Sequence, residues 1–330
     1  MRPRVSAVLI FAAVLLAASA WPSDGRAQAN IPRVGIITVG AASDAAAAGY
    51  RFNLIRRAFV SQGWSEGQTI AFELRDARGD ASRNAELAAE LVRLKVDLIW
   101  ADSAPALRAT YAATRTIPIV AVDFTTDPVA AGYAQSYGRP GKNVTGVFLD
   151  APEFSGKWLE LLKEMVPGLS RVVVLWDPSP GEAHLRGIQA VAPSLGVQIQ
   201  VVEVRKPEEI DAIASAFRGR PQALVVLPSP MMMAESQRLA RLAARHRLPA
   251  TSIFRLFAEE GGVIAYGPEA TAVVERAAVQ ATKILRGAKP GDLPIERPTK
   301  FELSINLKTA KALGITIPAS MVMRADKVIR

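Results

Sequence analysis

The sequence predicts an α/β protein of two doubly wound parallel-sheet lobes joined by a hinge. Three observations carry that prediction. Short continuous apolar runs alternate with amphipathic helical stretches, the pattern of strands covered by helices on both faces. The alternation fills the first part of the chain, is interrupted between Gly138 and Asp177, and then restarts. Within the interruption, Gly138, Pro140 and Gly141 break regular structure before the β-prone run Asn143 to Leu149. A helix with Trp158, Leu161, Leu162, Met165 and Val166 at helical spacing follows, stopped by Pro167-Gly168, and a fresh strand runs from Arg171 to Trp176. This stretch reads as the crossing between two similar lobes.

Taken in order, Pro32 to Val39 is a continuous apolar strand, followed by the small-residue turn Gly40 to Ser43 and a helix from Asp44 to Val60. A strand over Gln68 to Leu74, a helix over Ser82 to Leu94, a strand over Val96 to Trp100, a helix over Pro105 to Thr114 and a strand over Ile117 to Val122 continue the rhythm. After the hinge stretch come a helix over Glu182 to Leu195, a strand over Gln198 to Val204, a helix over Glu208 to Phe217 and a strand over Ala223 to Leu227. A helix over Met231 to Arg245 and strands over Ala250 to Ile253 and Val263 to Tyr266 complete the second rhythm. The helix Pro268 to Arg286, the Pro- and Gly-rich connection Gly287 to Pro298, a strand over Phe301 to Asn306 and a short helix over Leu307 to Leu313 lead to a polar end, extended at Pro318. The expected organisation is a signal peptide over 1–29, an N-terminal lobe over 30–148 to which about 268–300 returns, and a C-terminal lobe over 149–267. The segment 301–330 is open to either lobe.

Arg2 and Arg4 precede the uncharged apolar run Val5 to Ala18, and small-residue cleavage patterns follow at Ala18-Ser19-Ala20 and Ala27-Gln28-Ala29. Cleavage after Ala29 places the mature start just ahead of the first strand. The run is shorter than the ~20 apolar residues of a spanning helix, so the mature chain is expected to be exported and not membrane-inserted. With no cysteine among 330 residues, disulfides, thiol catalysis and a lipid-acceptor cysteine are excluded. The net charge of +9 is spread among acids without a basic run or aromatic-interleaved patch, which argues against nucleic acid. Half of the residues are hydrophobic, enough for a large packed core.

In parallel sheets ligands bind beyond the carboxyl ends of strands, where helix N-termini present unpaired N–H groups. That rule selects Gly40 to Ser43, Asp102 to Pro105 and Asp123 to Asp127 in the first lobe. In the second it selects Asp177 to Ser179, Pro228 to Pro230, Phe254-Arg255 and Tyr266-Gly267. Ser43, Ser103, Thr125 and Ser229 serve there either as ordinary N-caps or as ligand-facing hydroxyls. The loop aspartates are suited to an ammonium, and Arg255 with the helix starts to a carboxylate, so together they suit a zwitterion; the same aspartates are equally at home as turn starters. Phe124, Phe254 and Tyr266 are placed to close over an apolar ligand body. His184 and His246 are the only histidines and stand in no metal or triad spacing; there is no phosphate loop, and no cofactor or metal is expected.

Several stretches together resemble the bacterial ABC-transporter substrate-binding proteins of the tryptophan/tyrosine type. They are Arg139 to Gly146, Gly156 to Pro178, Pro298 to Pro318, Asp127-Pro128-Val129 and Leu87 to Asp97, and the likeness covers nearly all of the mature chain. The resemblance implies a type I periplasmic-binding-protein fold with a ligand trapped when the lobes close. It places pocket positions at Ser103, Ala104, Phe124, Thr125, Asp177, Ser229, Phe254 and Tyr266. The chain departs from the family pattern at Asp102, where a Gly is frequent, and around Phe254, where a Tyr is frequent. The expectation is a non-catalytic periplasmic receptor that takes an amino acid or related carboxylate to an inner-membrane ABC permease and its ATPase. A ligand sensor for a receptor kinase and an exported enzyme are the alternatives.

Overall fold

The computed structural model describes residues 31–38, 45–149, 151–219 and 221–330. The expected signal segment and Ser43, with its turn, lie outside the described residues. The first body opens with β1 (Arg33–Thr38), α1 (Ala45–Ser61), β2 (Ala71–Asp76), α2 (Asn84–Arg93), β3 (Leu98–Ala101), α3 (Ala104–Ala113), β4 (Ile119–Asp123) and β5 (Val144–Phe148). These strands form an all-parallel sheet in the order β2-β1-β3-β4-β5. β2 starts later than its apolar pattern suggests because Gln68, Thr69 and Ile70 all donate their N–H groups to the Ser65 carbonyl, holding that stretch in a turn. Gly146 is required in β5: its φ is +144°, and a Cβ there would lie 2.0 Å from the Ala121 carbonyl oxygen on β4.

The second body follows with α4 (Ala151–Met165), β6 (Arg171–Trp176), α5 (Ala183–Val191), β7 (Gln198–Glu203), a 3₁₀ stretch over Pro207–Gly219 and β8 (Ala223–Val226). Then come α6 (Pro230–Ala234), α7 (Ser236–Arg245), β9 (Ala250–Ser252), α8 (Arg255–Glu259) and β10 (Ile264–Pro268). Its first five strands run β10-β9-β8-β6-β7, the same 2-1-3-4-5 order as the first sheet. The two bodies therefore repeat one topology. α5 ends before Pro193, which cannot continue a helix. The single helix expected over Met231 to Arg245 is two, with the break at Glu235 (φ −99°, ψ 14°) where the buried Ser236 hydroxyl bonds Glu260 instead of following a smooth helical path. The 3₁₀ stretch replaces the expected helix over Glu208 to Phe217, and α8 forms where a loop was expected.

The end of the chain weaves the bodies together. After β10, α9 (Ala270–Leu285) packs Val273, Val274, Ala277 and Ala281 against Ile36, Phe59 and Trp100 of the first body. β11 (Phe301–Asn306) then pairs antiparallel with β10; α10 (Leu307–Ala312) and α11 (Ala319–Arg324) lead to β12 (Lys327–Ile329) at the edge of the second sheet. The polar end is thus a short helix and an edge strand. Three crossings between the bodies result, before α4, at Pro268–Ala270 and between Glu296 and Phe301. They are tied to one another: Glu296 N–H donates to Gly146 O, Phe148 N–H to Glu296 O and Glu269 N–H to Lys300 O, at 2.9, 2.9 and 3.0 Å. α4, in turn, buries Trp158, Leu161 and Leu162 against the second sheet. Among the described residues no helix is long and apolar enough to cross a membrane.

Candidate functional site

The carboxyl ends of the two parallel sheets face each other across a cavity of about 520 Å³. The first body contributes the loop after β3 at Ser103 to Pro105, the loop after β4 at Val122 to Thr125, and Tyr50 and Arg51 from α1. The second contributes Pro228 to Pro230 after β8, Ile253 to Leu256 after β9, and Gln237, Glu259 and Glu302 from its surrounding elements. Glu269 and Gly267 line it beside the second crossing.

Each loop is shaped by local chemistry. Ser103 N-caps α3, its Oγ accepting the Ala106 N–H at 3.3 Å, and Pro105 follows at the helix start, where its missing N–H costs nothing. Ser229 caps α6 in the same way through the Met232 N–H at 3.0 Å. After β4, Asp123 organises a tight turn: its Oδ1 accepts from Thr125 N, Thr125 Oγ1 and Thr126 N at 2.8, 3.0 and 3.2 Å. Its Oδ2 has no hydrogen-bond partner, and burial pushes this carboxyl above the usual range against the pull of those turn bonds. Phe124 is half-buried and packs against the cores of both bodies.

Charge is concentrated here. Arg51 Nε and a terminal guanidinium nitrogen donate to the two oxygens of Asp102, both at 2.6 Å, and Asp102 is buried. The Trp100 indole N–H lies 3.4 Å from the same carboxylate. Such bidentate pairs are geometrically specific as well as strong. Arg255 sits between Glu259 and Glu302 at 3.3 and 3.7 Å, with the Tyr50 hydroxyl of the first body 3.4 Å away. Carboxylates from Asp102, Asp123, Glu259, Glu260, Glu269 and Glu302 line the cavity, against the guanidiniums of Arg51 and Arg255.

Of the residues expected from sequence, Ser103, Ala104, Phe124, Thr125, Ser229 and Phe254 come together around this one cavity. Asp177 and Tyr266 do not line it. Both Asp177 oxygens are consumed by its own turn, accepting Ser179 N and Oγ at 2.8 and 2.9 Å. The Tyr266 ring lies on the α4 side of its strand, stacked with Phe154 at 5.3 Å and Phe301 at 5.9 Å; it is the next residue, Gly267, that reaches the cavity. Asp102 and Arg255, expected to receive an ammonium and a carboxylate, each already hold an opposite charge. Sequence reasoning missed Tyr50, Arg51, Gln237, Glu259, Glu269 and Glu302.

Residues 40–329 match the family of ABC transporter substrate binding proteins. A tyrosine-binding protein of Clostridioides difficile (strain R20291) is 26% identical over 269 residues, 78% of this chain and 75% of that protein. A structure of an ABC domain from Streptococcus pneumonia in complex with L-Trp superposes with a TM-score of 0.81 at 22% identity, covering 90% of this chain and 99% of that one. A ligand-free, open structure of a substrate binding protein with adhesive properties from Clostridium difficile gives 0.64 at 23% identity, covering 91% and 99%. The two-lobed architecture is that of type I periplasmic binding proteins.

Proposed function

Because the chain belongs to the ABC transporter substrate-binding protein family, we propose that it is the periplasmic receptor of an ABC import system, capturing an amino acid or related carboxylate between its lobes. The observation that carries this reading is the cavity itself: about 520 Å³, walled by both bodies, with aromatic and aliphatic sides and a rim of charged groups. That size and lining fall within the range of small-molecule sites, ~300–1,000 Å³ and mostly apolar. Carboxylates outnumber guanidiniums along the lining, a balance that favours the ammonium of a zwitterion, and Phe124, Phe254 and Ile253 offer an apolar or ring-bearing side chain its wall. The ligands named for the relatives, tyrosine and L-Trp, fit that description. Binding the closed arrangement better than the open one shifts the equilibrium toward closure, and the closed form is what an inner-membrane permease, driven by its ATPase, would take. The work of the site is binding and release, with no reaction. Ser103, Ala104, Phe124, Thr125, Ser229 and Phe254 are the contacts proposed for the ligand, and the lobes proposed to move are the two sheet bodies.

Thermal unfolding in the presence of each proteinogenic amino acid tests this. A true ligand at about 100 times its Kd stabilises by roughly 2.7 kcal/mol and raises Tm by several degrees. Absence of any shift across the panel overturns the amino-acid reading.

A further inference from the structure

His184, at the start of α5, is 4% exposed and lies outside the cavity lining. Its ring joins three parts of the molecule. Nδ1 is 2.7 Å from the Ser155 hydroxyl on α4, within its own body. Nε2 is 2.7 Å from the backbone carbonyl of Phe124, in the loop after β4 of the opposite body. The Trp158 ring lies 5.3 Å away, covering one side. A carbonyl oxygen can only accept, so Nε2 carries the proton; a neutral imidazole then leaves Nδ1 bare to accept from the Ser155 O–H. Both partners are thus satisfied by one tautomer of the uncharged ring. The residue held at the far end of this bridge is Phe124, whose own side chain walls the cavity and packs into both cores.

We propose that His184 is a positioning residue of the binding site: by donating from Nε2 to the Phe124 carbonyl across the cleft, its neutral ring fixes the aromatic wall of the cavity and makes the fit of the two lobes sensitive to acid. The side chains that face the ring are Ser155 and Trp158 from α4, and the loop after β4 meets it with a backbone carbonyl; none of these is charged. On α5 itself Glu182 and Arg186 are mutually paired and exposed. Burial is accordingly the main influence on the ring, lowering its pKa to about 4 against the opposing effect of the Phe124 bond. Were the ring released to water, it would return to the ordinary value near 6.5. Protonation between those limits therefore favours loosening the bridge, and raising the pH favours closing it. At pH 5 the linkage amounts to a shift of roughly thirtyfold in the equilibrium between bridged and released forms.

This inference rests on the binding reading only in calling Phe124 a wall of the site, and its test needs no ligand. Nitrogen-15 labelling of histidine in the mature chain gives two ring systems, because His184 and His246 are the only ones; His184→Gln identifies the first by its disappearance. The expected spectrum has His184 as the Nε2–H tautomer, titrating near 4. In small-angle scattering the wild type is expected to expand as the pH falls from 6.5 to 4. His184→Gln, whose amide can still donate to Phe124, is expected to stay compact over that range, and His184→Phe, which cannot donate, is expected to be expanded already at pH 7.5. His184 titrating near 6.5, a proton resident on Nδ1, or identical pH profiles for wild type and His184→Gln would each overturn the proposal. None of those results bears on whether an amino acid binds, and failure to find a ligand leaves the histidine spectrum as predicted.

Discussion

Arg51 grips Asp102 through two hydrogen bonds of 2.6 Å, joining the helix after the first strand to the loop after the third at the edge of the cavity. The sequence carries the acid at a strand end, where ligand contacts are expected, yet the structure gives its charge to an internal partner. Removing one member leaves the other charge stranded in a site where Arg51 is only 19% and Asp102 1% exposed at the side chain. Asp102→Ala is therefore expected to destabilise by roughly 3 kcal/mol, the low end for a broken buried pair because Arg51 keeps some access to water. Urea unfolding of Asp102→Ala against Arg51→Met/Asp102→Leu checks this: the double variant should recover most of the loss. Equal losses in both would show that the pair is not what the site is built on.

Phe254 and Tyr266 were equal candidates by position, and the structure separates them. Tyr266→Ala dismantles a stack with Phe154 and Phe301 and is expected to cost about 2–3 kcal/mol in stability, with little change in ligand affinity. Phe254→Ala is expected to do the reverse. Urea unfolding and calorimetric titration of the two variants with the ligand that the thermal screen identifies decide between them.

The reason sequence reasoning could not separate them is that it ranks loops, whereas orientation is set one residue at a time. In β10 the alternation of a strand sends Tyr266 toward α4 and leaves Gly267 at the cavity, a difference of one position. The strands themselves were readable because β1, β3, β4 and β6 are covered on both faces and so nearly continuous in apolarity. The break at Glu235 was not, since every residue from Met231 to Arg245 is compatible with one helix and the interruption comes from a contact with Glu260, distant in sequence. The 3₁₀ stretch was equally hidden: Ile210, Ile213 and Phe217 are buried, at a spacing that an α-helix would bury just as well. Arg51, Glu259 and Glu302 escaped because they reach the cleft from helices and an antiparallel strand that the strand-end rule does not cover.

His184 makes stability depend on pH with a definite sign. Its folded value, about 4, lies below the ordinary 6.5, so the unfolded chain binds the proton more readily. The contribution is complete above pH 6.5, declines as the pH falls, and is exhausted below about 4; its full size is about 3 kcal/mol. Stability measured by urea unfolding from pH 7.5 to 4 is expected to fall more steeply in the wild type than in His184→Gln, by up to that amount. Parallel curves would remove the buried neutral histidine from the account.

Gly146 permits the close approach of β5 to β4. An added methyl group would meet the Ala121 carbonyl at 2.0 Å in a backbone conformation that side chains resist, so Gly146→Ala is expected to cost more than ~3 kcal/mol or prevent folding. Because Glu296 of the third crossing bonds to Gly146, the loss should also loosen the hinge. Soluble yield and the urea midpoint, compared with Gly63→Ala, where the turn has open space and only the positive φ opposes a side chain, check the claim.

The central claim, that a small molecule is held between the lobes at the two facing sheet ends, is tested most directly by native mass spectrometry of the gently purified chain beside its Ser103→Ala/Phe254→Ala variant. The account predicts a co-bound small organic molecule on the wild type that is largely lost from the variant, while the variant's Tm without ligand stays within a few degrees of the wild type's. The same molecule retained at equal occupancy by both proteins would contradict it.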